Sequence, residues 1–402
     1  GGSITDTLGL LKKGDTKIIS YAKLVDTLIK YTGLRNLAGS VFSPMISLLG
    51  ATANQYMTGF SGMYYSNSNL AKAQNLLTAG RGFNTEESLK LRLIIDWLDI
   101  DRDKIKREVF NKISANKVGQ VLETYNGMAL FRESEILLVE SGAGAMILSN
   151  KYNITMDSFE VVDGKLKPKT EFSALDKAMF KQKVLKVNSN NIGSMNTDDV
   201  ILAKKWIVGR MLMQHRSWLP PLAYNRFGKK RYDFILEKDV EGRYIVAVRA
   251  VKYILSKGYS QGIESLSPDE VLLAKEAAAE ALLIIGTGLL TFALSGVDDD
   301  KKKEAWYKYS NTISGRLFNE LLFFADPTGV TQFQILLSPA ATTSTIEDMG
   351  KLVRDVWREG AADLYDDPEK IRKNAKPLKK SIKAFPVLSQ GERFINLFYD
   401  EK

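Results

Sequence analysis

Hydrophobic residues recur at helical spacing through most of this chain, and several of these runs begin at a capping signal. The clearest is Ser267, which is followed by a proline and then by Glu270, the pattern of an N-cap with proline in the first helical position. The pattern predicts a mostly α-helical protein built from multi-helix, bundle-like domains. Four further cap pairs precede other apolar runs: Asn84 with Glu87, Ser173 with Asp176, Asn196 with Asp199, and Ser344 with Glu347.

Strand signals occur in only two places, and each predicts a small β-hairpin. The first lies within residues 151–170, where Asp163-Gly164 is a typical two-residue hairpin turn. The second lies within residues 232–248, where Tyr232–Leu236 and Tyr244–Val248 flank a polar stretch that ends at Gly242. Neither hairpin supports a large sheet, and the alternating strand–helix rhythm of nucleotide-binding folds is absent from the sequence.

Three long stretches carry no charged residue. Asn36–Ala71 has 36 residues and is rich in glycine, serine and asparagine; Ala281–Val297 has 17 and is far more apolar; Pro327–Ile346 has 20 but is interrupted by Pro339. A transmembrane helix needs about 20 predominantly apolar residues. The first stretch is too polar, the second slightly short and the third broken, so buried or interface helices are the favoured interpretation, with membrane contact as the alternative.

Composition along the chain predicts four regions. The predicted regions are a helical domain with the long uncharged segment (1–150), helices with two hairpins (151–265), a helical domain with an alanine-rich apolar helix (266–360) and a basic C-terminal arm (361–402). The chain begins Gly1-Gly2-Ser3. This start is compatible with proteolytic cleavage after Gly-Gly and equally with a tag remnant.

Residue usage argues against most catalytic chemistry. The 402 residues include no cysteine and a single histidine, His215, which excludes thiolate catalysis and zinc sites built from cysteines or several histidines. No phosphate-cradling glycine loop or nucleophile-elbow motif occurs. Asp99, Asp101 and Asp103 imitate the start of a calcium loop, but Lys104 and Phe110 stand where that loop needs glycine and glutamate. We therefore expect no enzyme activity, cofactor or metal.

Two groups of residues are candidate contact sites. A net charge of +9 favours polyanionic or acidic partners. The candidates for such partners lie in an aromatic and basic segment that follows a predicted helix end at Pro220-Pro221, and in the C-terminal arm: Trp218, Arg226, Lys229, Lys230, Arg231, Lys370, Arg372, Lys373, Lys376, Lys379, Lys380 and Lys383. The candidates for a membrane or protein interface lie in the apolar helix: Leu282, Leu283, Ile284, Ile285, Leu289, Leu290 and Phe292.

Three segments resemble very large virion proteins of crAss-like and related tailed phages of Bacteroidetes. The first runs from Trp218 and its prolines through Arg226-Phe227-Gly228 to Tyr232-Asp233. The second is the uncharged block within residues 34–77, with Phe42-Ser43-Pro44, Asn54-Gln55-Tyr56 and Gly62-Met63-Tyr64-Tyr65. The third is the apolar helix from Ala274 together with Leu317–Leu322. These segments cover about half of the chain loosely, and none of them is a catalytic motif.

The resemblance implies a non-catalytic virion protein, packaged as cargo or lining the head or tail and ejected into the host with DNA. It would be cut from a longer precursor, reside in the virion and reach the host envelope or cytoplasm after ejection. Its partners would be other virion proteins in an oligomeric assembly, with DNA and the host membrane as further partners. Two alternatives stay open: a membrane-active, pore-forming ejection protein, and a helical scaffold fragment of a large processed phage enzyme.

Overall fold

The computed structural model describes residues 42–79, 85–100, 129–192, 219–297 and 304–325, together with single helical positions at 32, 351 and 354. The described ranges contain ten α-helices, a short 3-10 helix (Met156–Ser158) and two antiparallel hairpins. In chain order the helices are α1 (Phe42–Ser61), α2 (Asn67–Ala79), α3 (Glu86–Trp97), α4 (Ala129–Leu148), α5 (Ala174–Ile192), α6 (Leu219–Phe227), α7 (Arg243–Lys257), α8 (Tyr259–Glu264), α9 (Pro268–Ser295) and α10 (Ala305–Ala325). The strands are β1 (Phe159–Val162), β2 (Lys165–Pro168), β3 (Arg231–Asp233) and β4 (Lys238–Val240).

The predicted fold class is confirmed, because helices dominate and the strands form only two small hairpins. The first hairpin also has the predicted turn. β1 pairs with β2, and both turn residues adopt positive φ, 52° at Asp163 and 72° at Gly164. Positive φ at both central positions is what a type I′ turn requires, and Asp-Gly supplies it with little strain.

The second hairpin exists, but its predicted second strand is wrong. β3 pairs with β4, so that the hairpin ends at Val240. Tyr244–Val248 instead lies in α7. The β-branched residues of this segment favour a strand, but Arg243, Val246 and Ala250 are the buried positions, at a spacing of three and four residues. That spacing places them on one helical face, and packing against this face overrides local propensity.

The caps predicted for two helices are confirmed. Ser267 Oγ accepts the N–H of Glu270 while the Glu270 carboxylate accepts the N–H of Ser267, at 3.3 and 2.8 Å. Ser173 and Asp176 make the same reciprocal pair, both bonds at 3.1 Å. At α3 the cap lies one residue later than predicted, since Thr85 Oγ1 accepts the N–H of Ser88. The pairs beginning at Asn196 and Ser344 lie outside the described residues.

One hydrophobic core holds the first half of the described chain together. Helices α1 to α5 and the first hairpin surround it, with α2 packed along α4. Tyr65, Leu70 and Phe159 are fully buried in it, and Trp97 meets the Phe159 ring edge-on at 5.0 Å. This core draws residues from both sides of position 150, where composition places a domain boundary. The four-region division stays a prediction.

The second half is organised around α9, which packs against α1, α7 and α10. Its apolar clusters are small. One consists of Met57, Ala279 and Leu321, and another of Leu222, Phe323 and Phe324. Buried ion pairs also join its helices.

Gly228 and Gly242 bring together the two ends of the segment that contains β3 and β4. The N–H of Gly242 donates to the carbonyl of Gly228, at 2.7 Å, so the chain returns to the point at which it left α6. A Cβ atom at Gly242 would lie 2.5 Å from the Arg226 carbonyl oxygen, and one at Gly228 would lie 2.5 Å from that of Tyr224. Only glycine fits these two positions, which hold the second hairpin against the end of α6.

Candidate docking face on helix α9

The two halves of α9 differ in chemistry. Its first half begins at the Ser267 cap and carries Glu270, Glu276 and Glu280. After Glu280 the helix has no charged residue through Ser295. The first half is therefore able to make ion pairs, whereas the second half contacts its surroundings almost entirely through apolar atoms.

Two arginines surround Glu280 in the interior. Arg226 of α6 donates from Nε to Glu280 Oε1 at 2.8 Å, and Arg243 of α7 donates from Nε to Oε2 at 2.8 Å. Arg226 is 1% exposed and Glu280 is 0% exposed. Arg226 and Glu280 are 54 positions apart in the sequence. This contact fixes α6 and α7 to the first half of α9.

The same network extends to three further helices. Arg243 Nη1 donates to Glu276 Oε1 at 2.8 Å. Thr58 of α1 lies with its hydroxyl 3.2 Å from that carboxylate and 2.8 Å from the Asn191 side-chain oxygen of α5. The Arg226 guanidinium also stacks 4.2 Å above the ring of Phe324 in α10. We call Arg226, Arg243, Glu276 and Glu280 the charged hub.

The hub keeps Glu280 ionised. Burial alone would raise the pKa of this carboxyl, but the Arg243 and Arg226 guanidiniums outweigh burial and hold the pKa below its usual range. Removing the hub carboxylates would leave the guanidiniums buried and unpaired, and removing the guanidiniums would do the same to the carboxylates. Such a loss is strongly destabilising even where the intact pair contributes little net stability.

Beyond the hub, the second half of α9 presents an apolar face to the outside. Leu282, Ile285, Leu289 and Phe292 are 62%, 58%, 64% and 78% exposed. Their spacing of three, four and three residues places them on one side of the helix. Leu290, 52% exposed, borders them. We call these five residues the α9 face. Contiguous exposed apolar patches are uncommon on folded proteins, so the α9 face is the candidate contact surface of the described residues.

Two members of the predicted interface set point inward instead. Leu283 and Ile284 pack against the cluster of Met57, Ala279 and Leu321. Gly288 lies under the Phe318 ring, where an added Cβ would be 3.0 Å from the nearest ring atom. One side of α9 is therefore committed to α1 and α10, and only the opposite side is open to a partner.

By length and composition, α9 would suffice to cross a membrane, and it is the one helix of the described ranges that would. In its most apolar window, 28% of the residues are buried inside the protein. Length and composition alone are weak evidence, because core helices meet the same criteria.

The basic candidates near α6 have different surroundings. Arg226 is buried in the hub, so it is not available to a partner, contrary to the prediction. Lys230 pairs with Asp239 at 3.3 Å, Arg231 stacks 3.9 Å from the Tyr224 ring, and Lys229 is exposed. Pro220 and Pro221 lie in the first turn of α6, where a missing N–H is harmless. The helix end predicted just before them, near Trp218, lies outside the described residues.

Several candidates lie outside the described residues. These are His215, Trp218, the Pro327–Ile346 stretch and the whole basic arm from Lys370 to Lys383. Of the three aspartates that imitate a calcium loop, only Asp99 is described, and it pairs with Lys181 at 2.7 Å. Within the described ranges, no group of three or more metal-ligating side chains is found.

A second exposed apolar stripe was not predicted. Val248, Val251 and Leu255 of α7 are 71%, 55% and 82% exposed, at helical spacing, and Tyr259 follows at 75%. Tyr244–Val248 was predicted as a strand, and a strand would place alternate residues on opposite faces. The stripe was therefore not recognised. A helical period through Arg243, Val246 and Ala250 is the signal that would have revealed it.

Neither a family model, nor a curated protein, nor a solved structure matches this chain.

Proposed function

We propose that this chain is a non-catalytic structural protein of a tailed-phage virion, whose α9 face packs against a neighbouring virion protein. The observation that supports this proposal is the exposure of four large apolar side chains on one side of a helix whose other side is firmly anchored. The virion setting, as cargo or as a lining of the head or tail, comes from the sequence resemblance alone.

The geometry of the α9 face suits a protein partner. Residues at i, i+3 and i+7 of a helix are the usual anchors when an amphipathic helix enters a hydrophobic groove. Burying one large apolar side chain contributes about 1.5–3 kcal/mol. Four such residues would supply the central apolar patch of an interface, while the hub keeps α9 in place before and after the partner binds.

Membrane insertion during ejection is the second candidate, and the length and apolar character of α9 support it. The charge-free stretch of 17 residues spans about 25 Å at about 1.5 Å per residue, short of the ~30 Å hydrocarbon core. A full crossing would therefore draw Glu280 towards the bilayer and break the hub. This requirement makes docking to protein the better-supported function.

Site-specific photo-crosslinking would test the docking proposal. A photoreactive amino acid replaces Leu289, and the chain is co-expressed with the structural proteins of the same phage genome. We expect a cross-link to one defined structural protein. The matched control places the same amino acid at Leu175, which is 67% exposed and lies on a different helix, α5. Equal cross-linking from both positions, or none from Leu289, would contradict the proposal.

Vesicle flotation separates the second candidate from the first. The purified chain is mixed with anionic vesicles at neutral and low pH, beside a Leu289→Asn/Phe292→Ser variant. Under the docking proposal, neither chain floats. Flotation of the unmodified chain that the double substitution abolishes would favour membrane insertion instead.

A further inference from the structure

A small cleft lies beside the hub, between the second hairpin, the end of α6 and the first half of α9. Its cavity volume is about 60 Å³. One water needs about 15 Å³ on this scale, so the cleft has room for about four water molecules, or for one tetrahedral oxyanion with five heavy atoms. Charged side chains of both signs line the cleft.

The carboxylates of the cleft are all engaged. Asp233 accepts the N–H groups of Ile235 and Leu236, both at 3.0 Å. The other three form ion pairs: Asp239 with Lys230, Glu241 with Arg249, and Glu276 with Arg243. These groups have little remaining capacity to attract a cation.

Three cations of the cleft have no carboxylate partner among the described residues: Lys229, Arg231 and Lys238. Arg231 stacks on Tyr224, and Lys238 Nζ lies 4.2 Å from the centre of the Tyr64 ring. Ring stacking leaves the guanidinium and ammonium hydrogens without a strong acceptor. The cleft therefore carries positive charge that its own acids do not neutralise.

Burial is the largest influence on Lys238, and it disfavours the charged ammonium form. Together with the nearby Lys151, burial lowers the pKa of Lys238 to about 8. Asp269, Glu276 and Asp233 act in the opposite direction but do not restore the usual value. A bound anion within about 4–6 Å would raise the pKa of Lys238 by about 1–3 units, because it favours the charged ammonium.

We propose that this cleft binds one phosphate group, held by Lys229, Arg231 and Lys238. Phosphate fits the volume, and its oxygens match the fork geometry of a guanidinium better than a halide does. The inference does not depend on the docking function of α9, because the α9 face and this cleft share no residue.

Competitive labelling of Lys238 tests the proposal on the unmodified chain. Acetic anhydride acetylates only the uncharged amine, so peptide mass spectrometry at pH 7–10 yields the apparent pKa of each lysine. Three solutions of equal ionic strength are compared, containing sodium chloride, inorganic phosphate or a nucleoside monophosphate. Lys165, exposed on β2 and outside the cleft, is the internal reference.

We expect phosphate or the nucleotide to slow labelling of Lys238 and to raise its apparent pKa by at least about one unit, while Lys165 is unchanged. Slower labelling in inorganic phosphate identifies the free ion as sufficient. An effect with the nucleotide alone means that the phosphate must belong to a larger ligand. Identical labelling of Lys238 in all three solutions would overturn the proposal.

Charge-removal variants refine the result. Arg231→Gln should weaken phosphate protection of Lys238 by at least about tenfold, the value of one charge-assisted hydrogen bond. Lys167→Gln removes the same charge at another exposed position of β2, keeps the reference Lys165, and should leave protection unchanged. Equal effects of the two variants would show general electrostatic attraction and refute a defined site. If Arg231→Gln fails to fold, the comparison of the three solutions decides alone.

Discussion

Between Tyr65 and Val187, 18 buried hydrophobic residues form one continuous core, whereas the described contacts around α9 include apolar clusters of only three residues each. The α9 region compensates with the charged hub, in which four buried charged side chains join α6, α7 and α9. Hydrophobic burial stabilises without regard to direction, but ion pairs require defined geometry.

The comparison teaches how one protein can hold a helix in place and still keep apolar surface for a partner. In the core surrounded by α1 to α5, the 18 apolar side chains pack against one another, and none of them is more than 5% exposed. At α9 the anchoring is done by Glu276 and Glu280, so that Leu282, Ile285, Leu289 and Phe292 are not needed for it.

The largest expected effect comes from breaking the hub. Glu280→Gln leaves the guanidiniums of Arg226 and Arg243 buried without their shared carboxylate, and we expect the free energy of unfolding to fall by about 3–5 kcal/mol. Urea denaturation followed by circular dichroism measures this change. Glu160→Gln, at an exposed position of β1, is the control. A loss no greater than that of the control would show that the hub does not anchor α9.

Truncating the core tests the other side of the comparison. Leu70 is fully buried, and Leu70→Ala should lower the free energy of unfolding by about 2–5 kcal/mol through lost burial and a cavity. Leu290→Ala makes the same chemical change on the α9 face and should stay within about 0.5 kcal/mol. Similar losses at the two positions in urea denaturation would mean that the α9 face is covered within the chain itself.

Acid titration tests the same comparison, with a smaller expected effect on the free energy of unfolding. The pKa of Glu280 is lower in the folded state than in the unfolded state. The stability that its carboxylate contributes is therefore fully present above the unfolded pKa of about 4.3, and it is lost as the pH falls through the folded pKa. Between pH 7 and pH 3, the free energy of unfolding should therefore fall more steeply for the unmodified chain than for Glu280→Gln. Glu270, whose pKa is also lowered, affects both chains equally. Parallel curves would contradict the hub assignment.

Local signals in the sequence were sufficient for the helical class, the caps at Ser173 and Ser267 and the turn at Asp163-Gly164. Each of these depends on residues at most three positions apart, whose hydrogen bonds are made within the element itself. Local propensity failed at Tyr244–Val248, where β-branched residues favour a strand but burial of Arg243 and Val246 imposes a helix. Tertiary contacts decided that segment.

The candidate site was only partly predictable for a similar reason. The apolar character of residues 282–292 is visible in the sequence, but which side faces outward depends on α1 and α10. Arg226 was grouped with a surface cluster because its neighbours are basic, and its partner Glu280 lies 54 residues away. Sequence proximity of like charges carries no information about distant opposite charges that neutralise them.

The contact between Gly228 and Gly242 has an evolutionary consequence. The segment between them starts and finishes at the same point, 2.7 Å apart, so its length has little influence on where α6 and α7 lie. A longer turn at the tip of the hairpin would cost little, since doubling the length of a flexible loop costs only about 0.6 kcal/mol of closure entropy. Phe234 at its tip is 85% exposed. Insertions and deletions near that tip should accumulate among descendants of this gene without disturbing the helical body.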